Sequence, residues 1–265
     1  ENHMLLVLIF LVSQISAAEV SRDSQDAVFE TFASWMRENG AVFNMTVKDD
    51  EDTGRTAIIT ADVQQGERFL EVPESLILCS DNYDPNIELF RQAAEKLDHR
   101  YPFVSRMSKA ALTLLVEVYK GEASFFSRYL ALLPRMEPDY HPYLWSDAQL
   151  DFAAKAVPGV EDVIHRKNVL FQIYSHTRLF VSSTLFPRDS DFFSFERFLW
   201  AFVVILTRNF GFKENHCLVP LVDMLNHAGE DASNVEFGTQ AETRTDGHKA
   251  ITTPTLFYLT ASAQL

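Results

Sequence analysis

Strand-patterned residues on both sides of a long helical block are the feature that most restricts how this chain can fold. Early in the chain, Thr56 to Ala61 and Arg68 to Val72 read as short strands, with Gln64-Gln65-Gly66-Glu67 as the turn between them. Ala41 to Val47 reads as a strand before them, Lys48 to Gly54 as an acidic turn, and Ser75 to Cys79 as a further short strand. A helix precedes this group: after a polar lead at residues 19 to 26, Val28, Phe29, Phe32, Trp35 and Met36 recur at helical spacing, and Asn39-Gly40 closes the run. Helical periods then cover Asn86 to Leu97, Ser108 to Tyr119 and Phe125 to Leu132, and a helix opens at Ser146-Asp147. A long amphipathic helix is expected over Val160 to Leu185, and Ser194 is placed to cap another from Phe195 to Leu206. Strand patterns return at residues 234–237, 248–252 and 255–260, with a polar loop from Thr239 to Gly247. Strands, then helices, then strands predict an α+β domain.

Composition narrows the function classes. With 47% hydrophobic residues and 22 Phe in 265 residues, the chain can bury a sizeable core, which excludes a disordered chain. A net charge of −14 argues against direct nucleic-acid binding, which needs a basic face. It favours a basic or lysine-bearing protein segment as partner, although acidity also serves solubility alone. Two cysteines, Cys79 and Cys217, without a Cys-x-x-Cys, give no zinc cluster. His216-Cys217 with Asp223 and His227 matches no standard ligand spacing, so no metal site is expected.

The apolar run Leu5 to Val12, followed by Ser16-Ala17-Ala18, has the length and small-residue flank of a signal-peptide core. It is too short to span a bilayer as a helix. The positive flank usual before such a core is missing. Residues 1–18 are read as a signal peptide, giving secretory entry and a mature chain without a transmembrane span. An apolar helix packed on the domain is the alternative. With secretory entry, Asn44-Met45-Thr46 would be a glycosylation acceptor.

The densest cluster of candidate functional residues is Leu218-Val219-Pro220-Leu221-Val222-Asp223-Met224-Leu225-Asn226-His227, with Thr207-Arg208 upstream at a helix end. A guanidinium there suits a carboxylate ligand, or is a solvated charge favoured by the helix dipole. Asn226 either binds a ligand or caps a short helix over Leu221 to Leu225. Phe192, Phe193, Phe195, Phe198, Trp200 and Phe202 read as core.

This cluster resembles the cofactor-binding region of SET-domain protein methyltransferases of the Rubisco large-subunit methyltransferase type. Their pattern is an aromatic-rich helix ending in Ser-Arg, a loop, then Leu-Val-Pro-Leu-x-Asp-Met-x-Asn-His. Here only the Ser differs, as Thr207. Gly54 to Val63, Gly66-Glu67 and Val72-Pro73 resemble the family's opening strands, with departures at Thr56 and Ile59. Phe126 to Leu150, with Tyr129-Leu130, Leu133-Pro134 and Tyr143-Leu144-Trp145-Ser146, resembles the helical insert that splits the SET fold. The resemblance implies an SET-type β core over residues 27–265: an N-terminal part at 27–85, an insert at 86–193 and a C-terminal part at 194–265.

It further implies S-adenosyl-L-methionine as cofactor, held by Thr53, Arg55, Thr207, Arg208, Asp223, Asn226 and His227. Arg208 would meet the cofactor carboxylate, Asn226 its amino-acid end and His227 the adenine through main-chain groups. Asp223 would support the turn or meet the cofactor amino group. The implied activity is methylation of a side-chain nitrogen, most often lysine in a non-histone protein. The alternative is a non-enzymatic SET-derived binding or regulatory module. The family's channel Tyr follows Gly-Glu beyond a strand like Leu256 to Ala261, so it is expected after Leu265. The C-terminal part of the core is then incomplete, no catalytic residue is assigned, and Tyr258 reads as an ordinary strand residue.

Overall fold

The computed structural model describes residues 22–50, 54–80, 84–97, 102–137, 141–212, 215–225, 235–246 and 249–262. They pack as two units, residues 79–207 and residues 21–78 with 208–265. The expected signal peptide lies outside the described residues. Among the described residues no helix is long and apolar enough to cross a membrane.

The unit formed by 79–207 is helical. It contains α2 (Pro85–Leu97), α3 (Pro102–Lys120), the single turn α4 (Ser127–Leu130), α5 (Asp147–Ala153), α6 (Val160–Leu185) and α7 (Phe195–Arg208), which runs one residue past its boundary. Local signals explain the starts. Ser146 Oγ accepts from Gln149 N while the Gln149 side chain accepts from Ser146 N, a reciprocal cap on α5. Ser194 Oγ accepts from Arg197 N at 3.2 Å and opens α7. On α6, Val163, Leu170, Ile173, Thr177 and Val181 are buried at helical spacing. α7 buries Phe198, Leu199, Ala201, Phe202, Val203, Val204 and Ile205, leaving few exposed positions, as a helix at the centre of its unit must. Its rings join an edge-to-face chain: Phe198 meets Phe90 at 5.9 Å and Phe193 at 5.7 Å. Phe193, Phe198 and Phe202 are fully buried, while Phe192, Phe195 and Trp200 are half-buried.

The second unit carries the sheets. α1 (Arg22–Glu38) ends at Gly40, whose φ of 90° lets Ala41 N bond back to Met36 O at 3.0 Å. β1 (Val42–Phe43), β4 (Arg68–Pro73), β8 (Lys249–Ala261) and β7 (Val235–Asp246) form an antiparallel sheet in the order β1-β4-β8-β7. Leu70 lies opposite Leu259 and Val72 opposite Phe257. β2 (Met45–Asp50) and β3 (Gly54–Ile59) form a separate antiparallel pair, as do β5 (Asn209–Phe212) and β6 (Asn215–Leu218). None of these sheets closes into a barrel.

Several sequence expectations are corrected here. The polar lead at 19–26 is helical from Arg22. The strand expected at Ala41 to Val47 is divided into β1 and β2, and Lys48 to Asp50, expected in the acidic turn, belong to β2. Ser75 to Cys79 is not a strand: Glu74–Leu76 form a 3₁₀ turn, and Leu78 makes an isolated bridge to Leu218. The loop expected from Thr239 to Gly247 is largely strand, paired from Val235↔Ala261 to Asp246↔Lys249 with one register shift between Gln240 and Ala241. That ribbon satisfies its backbone by pairing, whatever its side-chain polarity.

Tyr258 crosses directly over Gly238, where an added Cβ would come within 2.5 Å of the phenol ring. The Arg68 guanidinium stacks on the same ring at 3.8 Å. Gly238→Ala is therefore expected to displace Tyr258 and lower stability by about 1 kcal/mol. Chemical denaturation of the variant checks this, and an unchanged midpoint would show that the ring yields freely.

Candidate functional site

Arg208 ends α7 and leads directly into the β5–β6 hairpin, whose register places Asn209 opposite Leu218. The hairpin reverses the chain, and Leu218 exchanges two 3.0 Å backbone bonds with Leu78. Beyond it, Val219-Pro220-Leu221 enters a 3₁₀ turn over Val222–Met224. Asp223 N donates to Val219 O at 3.1 Å, Met224 N to Leu221 O at 3.2 Å and Leu225 N to Val222 O at 3.1 Å.

The hairpin brings Arg208 onto this turn. Its Nη1 donates to the Asp223 carbonyl at 3.0 Å and to Oδ2 at 3.3 Å. The Asp223 side chain is 0% exposed, whereas 24% of the Arg208 side chain remains accessible. One guanidinium thus fixes both the backbone and the carboxylate of the turn, in surroundings where water screens the pair poorly. β3, which carries Arg55, lies against the same turn. Two blocks far apart in sequence therefore meet within one unit.

The expected site residues are placed as follows. Arg208 and Asp223 are in direct contact. Arg55 sits on β3 opposite Asp49 of β2. Thr207 donates its hydroxyl to Val203 O at 2.9 Å on its own helix, leaving the oxygen lone pairs as its polar resource. Thr53, Asn226 and His227 lie outside the described residues. His216 Nδ1 is 2.8 Å from Asn209 Oδ1, a diagonal contact between the two strands of the hairpin.

Two features were missed by sequence reasoning. Leu221 is the one described non-glycine residue with positive φ, at φ 74° and ψ −42°, and its side chain is fully buried. A leucine held there costs about 1–3 kcal/mol of backbone strain. No sequence signal marks it, because leucine is an ordinary core residue. The second is redox state: Cys79 and Cys217 are both disulfide-bonded.

No protein-family model matches the chain, and no curated protein matches it by sequence. Solved structures do match. The SET domain of LSMT bound to lysine and AdoHcy aligns with a TM-score of 0.61 at 20% identity, covering 90% of this chain and 51% of that one. The same domain bound to MeLysine and AdoHcy gives 0.62 at 20%, covering 90% and 50%. Rubisco LSMT bound to AdoMet gives 0.57 at 19%, covering 90% and 51%. The chain spans about half the length of these structures. Its α+β architecture is the SET-domain fold, in the form found in Rubisco LSMT.

Proposed function

We propose that this chain belongs to a protein methyltransferase of the Rubisco LSMT type, using S-adenosylmethionine to methylate a side-chain nitrogen, most readily lysine of a non-histone protein. The observation that carries this reading is the meeting of β3 with the Arg208-clamped turn at Val222–Met224. The donor set fits the cofactor: a partly accessible guanidinium beside a rigid turn suits a carboxylate. Arg208, Asp223, Arg55 and Thr53 would hold the cofactor with Asn226 and His227, and Thr207 precedes Arg208 in the same segment. When bound, the cofactor supplies a methyl group on an electrophilic sulfonium. The residues then have to orient the donor and exclude water, since the displacement needs alignment more than covalent help.

Calorimetry with AdoHcy tests the reading. Asn226→Ala is expected to weaken binding about ten- to a hundredfold, from loss of about 1.5–3 kcal/mol in hydrogen bonding. Unchanged affinity in a folded variant counts against the site. Binding without transfer of labelled methyl to any protein extract would favour the non-enzymatic binding module.

We also propose secretory entry. The apolar run at Leu5 to Val12 motivates it, and disulfide-bonded Cys79 and Cys217 fit an oxidising compartment. Asn44 of the acceptor triplet is exposed between buried Phe43 and Met45, on the same outward face as Thr46, as a glycan would require. N-terminal sequencing of protein from its own cells is expected to start near Ala18 or Glu19, with a mass loss on deglycosylation that Asn44→Gln abolishes. A chain that starts at Met4 and carries no glycan rules this out.

A further inference from the structure

Leu221 stands at the entry to the clamped turn with two properties that rarely coincide, a φ of 74° and complete burial. Glycine adopts this backbone without steric cost, and leucine does not. The strain persists because the segment is held on both sides. Asp223 N is bonded to Val219 O, Met224 N to Leu221 O itself, and the Asp223 carbonyl to Arg208 Nη1. The side chain adds a fourth restraint: any rotation towards an ordinary φ would swing it out of the core.

We propose that Leu221 is a positioning residue, whose core-anchored left-handed backbone fixes the direction of the chain after Pro220 and thereby aims Asp223 and the Val222–Met224 turn. The inference deepens, and rests on, the assignment of that turn to the cofactor. A strained residue beside a functional turn is a means of preorganisation: the geometry needed for binding is set before the ligand arrives. A purely structural leucine would contribute packing but would not govern the order of the turn.

Two pairs of variants separate these roles. Leu221→Ala removes the anchor but keeps the backbone penalty, whereas Leu221→Gly removes both. Glycine is expected to be at least as stable as alanine here, the reverse of the usual order. Amide exchange at Asp223 and Met224 is expected to be about tenfold faster in the glycine variant than in the alanine variant, and AdoHcy affinity about five- to tenfold weaker. Leu221→Met and Leu221→Ile keep the core volume and so preserve folding if the smaller residues do not. Methionine is expected to retain wild-type exchange at both amides, while β-branched isoleucine, disfavoured at positive φ, accelerates it. Alanine more stable than glycine, or equal exchange within both pairs, overturns the proposal. If wild-type protein does not bind AdoHcy, the cofactor reading fails, and the exchange comparison alone decides the role of Leu221.

Discussion

Arg208→Ala is expected to destabilise the protein by about 3–5 kcal/mol, the typical cost of removing one partner from a buried ion pair. The Asp223 side chain is 0% exposed and receives Arg208 Nη1 at 3.3 Å, with a second bond at 3.0 Å to its carbonyl. Truncation leaves a buried carboxylate without this guanidinium and releases the turn backbone in the same step. The reciprocal change should be milder. Asp223→Asn keeps the carbonyl acceptor, and Arg208, with 24% of its side chain accessible, can turn towards water. A loss of about 1–2 kcal/mol is expected there. Arg208→Lys should fall between, because an ammonium retains the charge but not the guanidinium geometry. Denaturation midpoints of the three variants check the order. Arg208→Ala within about 1 kcal/mol of wild type would mean that the pair behaves as a surface contact.

Where punctuation and periodicity agree, the sequence is a good guide. α6 runs from Val160 to Leu185 as its apolar spacing requires, between Gly159 and Pro187. Where pairing rather than burial forms a strand, the pattern fails. β7 and β8 extend through residues with no apolar alternation, because a ribbon needs only a partner strand. The four-residue strands Asn209–Phe212 and Asn215–Leu218 are too short to show a period. Ser75 to Cys79 has β-compatible residues, yet its strand-type pairing is confined to the bridge from Leu78 to Leu218.

The site divides in the same way. Residue types announced Arg208 and Asp223 as candidates, but not that one holds the other, because that contact depends on the unrecognised β5–β6 hairpin. Leu221 was invisible for a different reason: its backbone angle is set by the tethers around it and not by its own preference.

The second large effect expected is a pH dependence centred on His141. This imidazole is 7% exposed, stacks on Tyr143 at 5.4 Å, and accepts Tyr143 N on Nδ1 at 3.3 Å. Burial pushes its pKa down from 6.5 to about 4. The folded protein therefore binds fewer protons than the unfolded chain between these two values. The stability from neutral His141 is fully present above about pH 6.5 and is lost as pH falls towards about 4. The full difference amounts to about 3 kcal/mol, of which about 2 kcal/mol should disappear between about pH 7.5 and 5. His141→Asn keeps a side-chain acceptor at the start of the Pro142–Leu144 turn but does not titrate. It should be less stable than wild type at neutral pH, having lost the stacked ring, yet lose about 2 kcal/mol less on acidification. Other titrating groups contribute equally to both proteins and cancel in the comparison. Unfolding free energies measured at the two pH values give the double difference directly. Parallel pH profiles would mean that His141 is hydrated or protonated in the folded state, with its desolvation offset by a neighbouring charge.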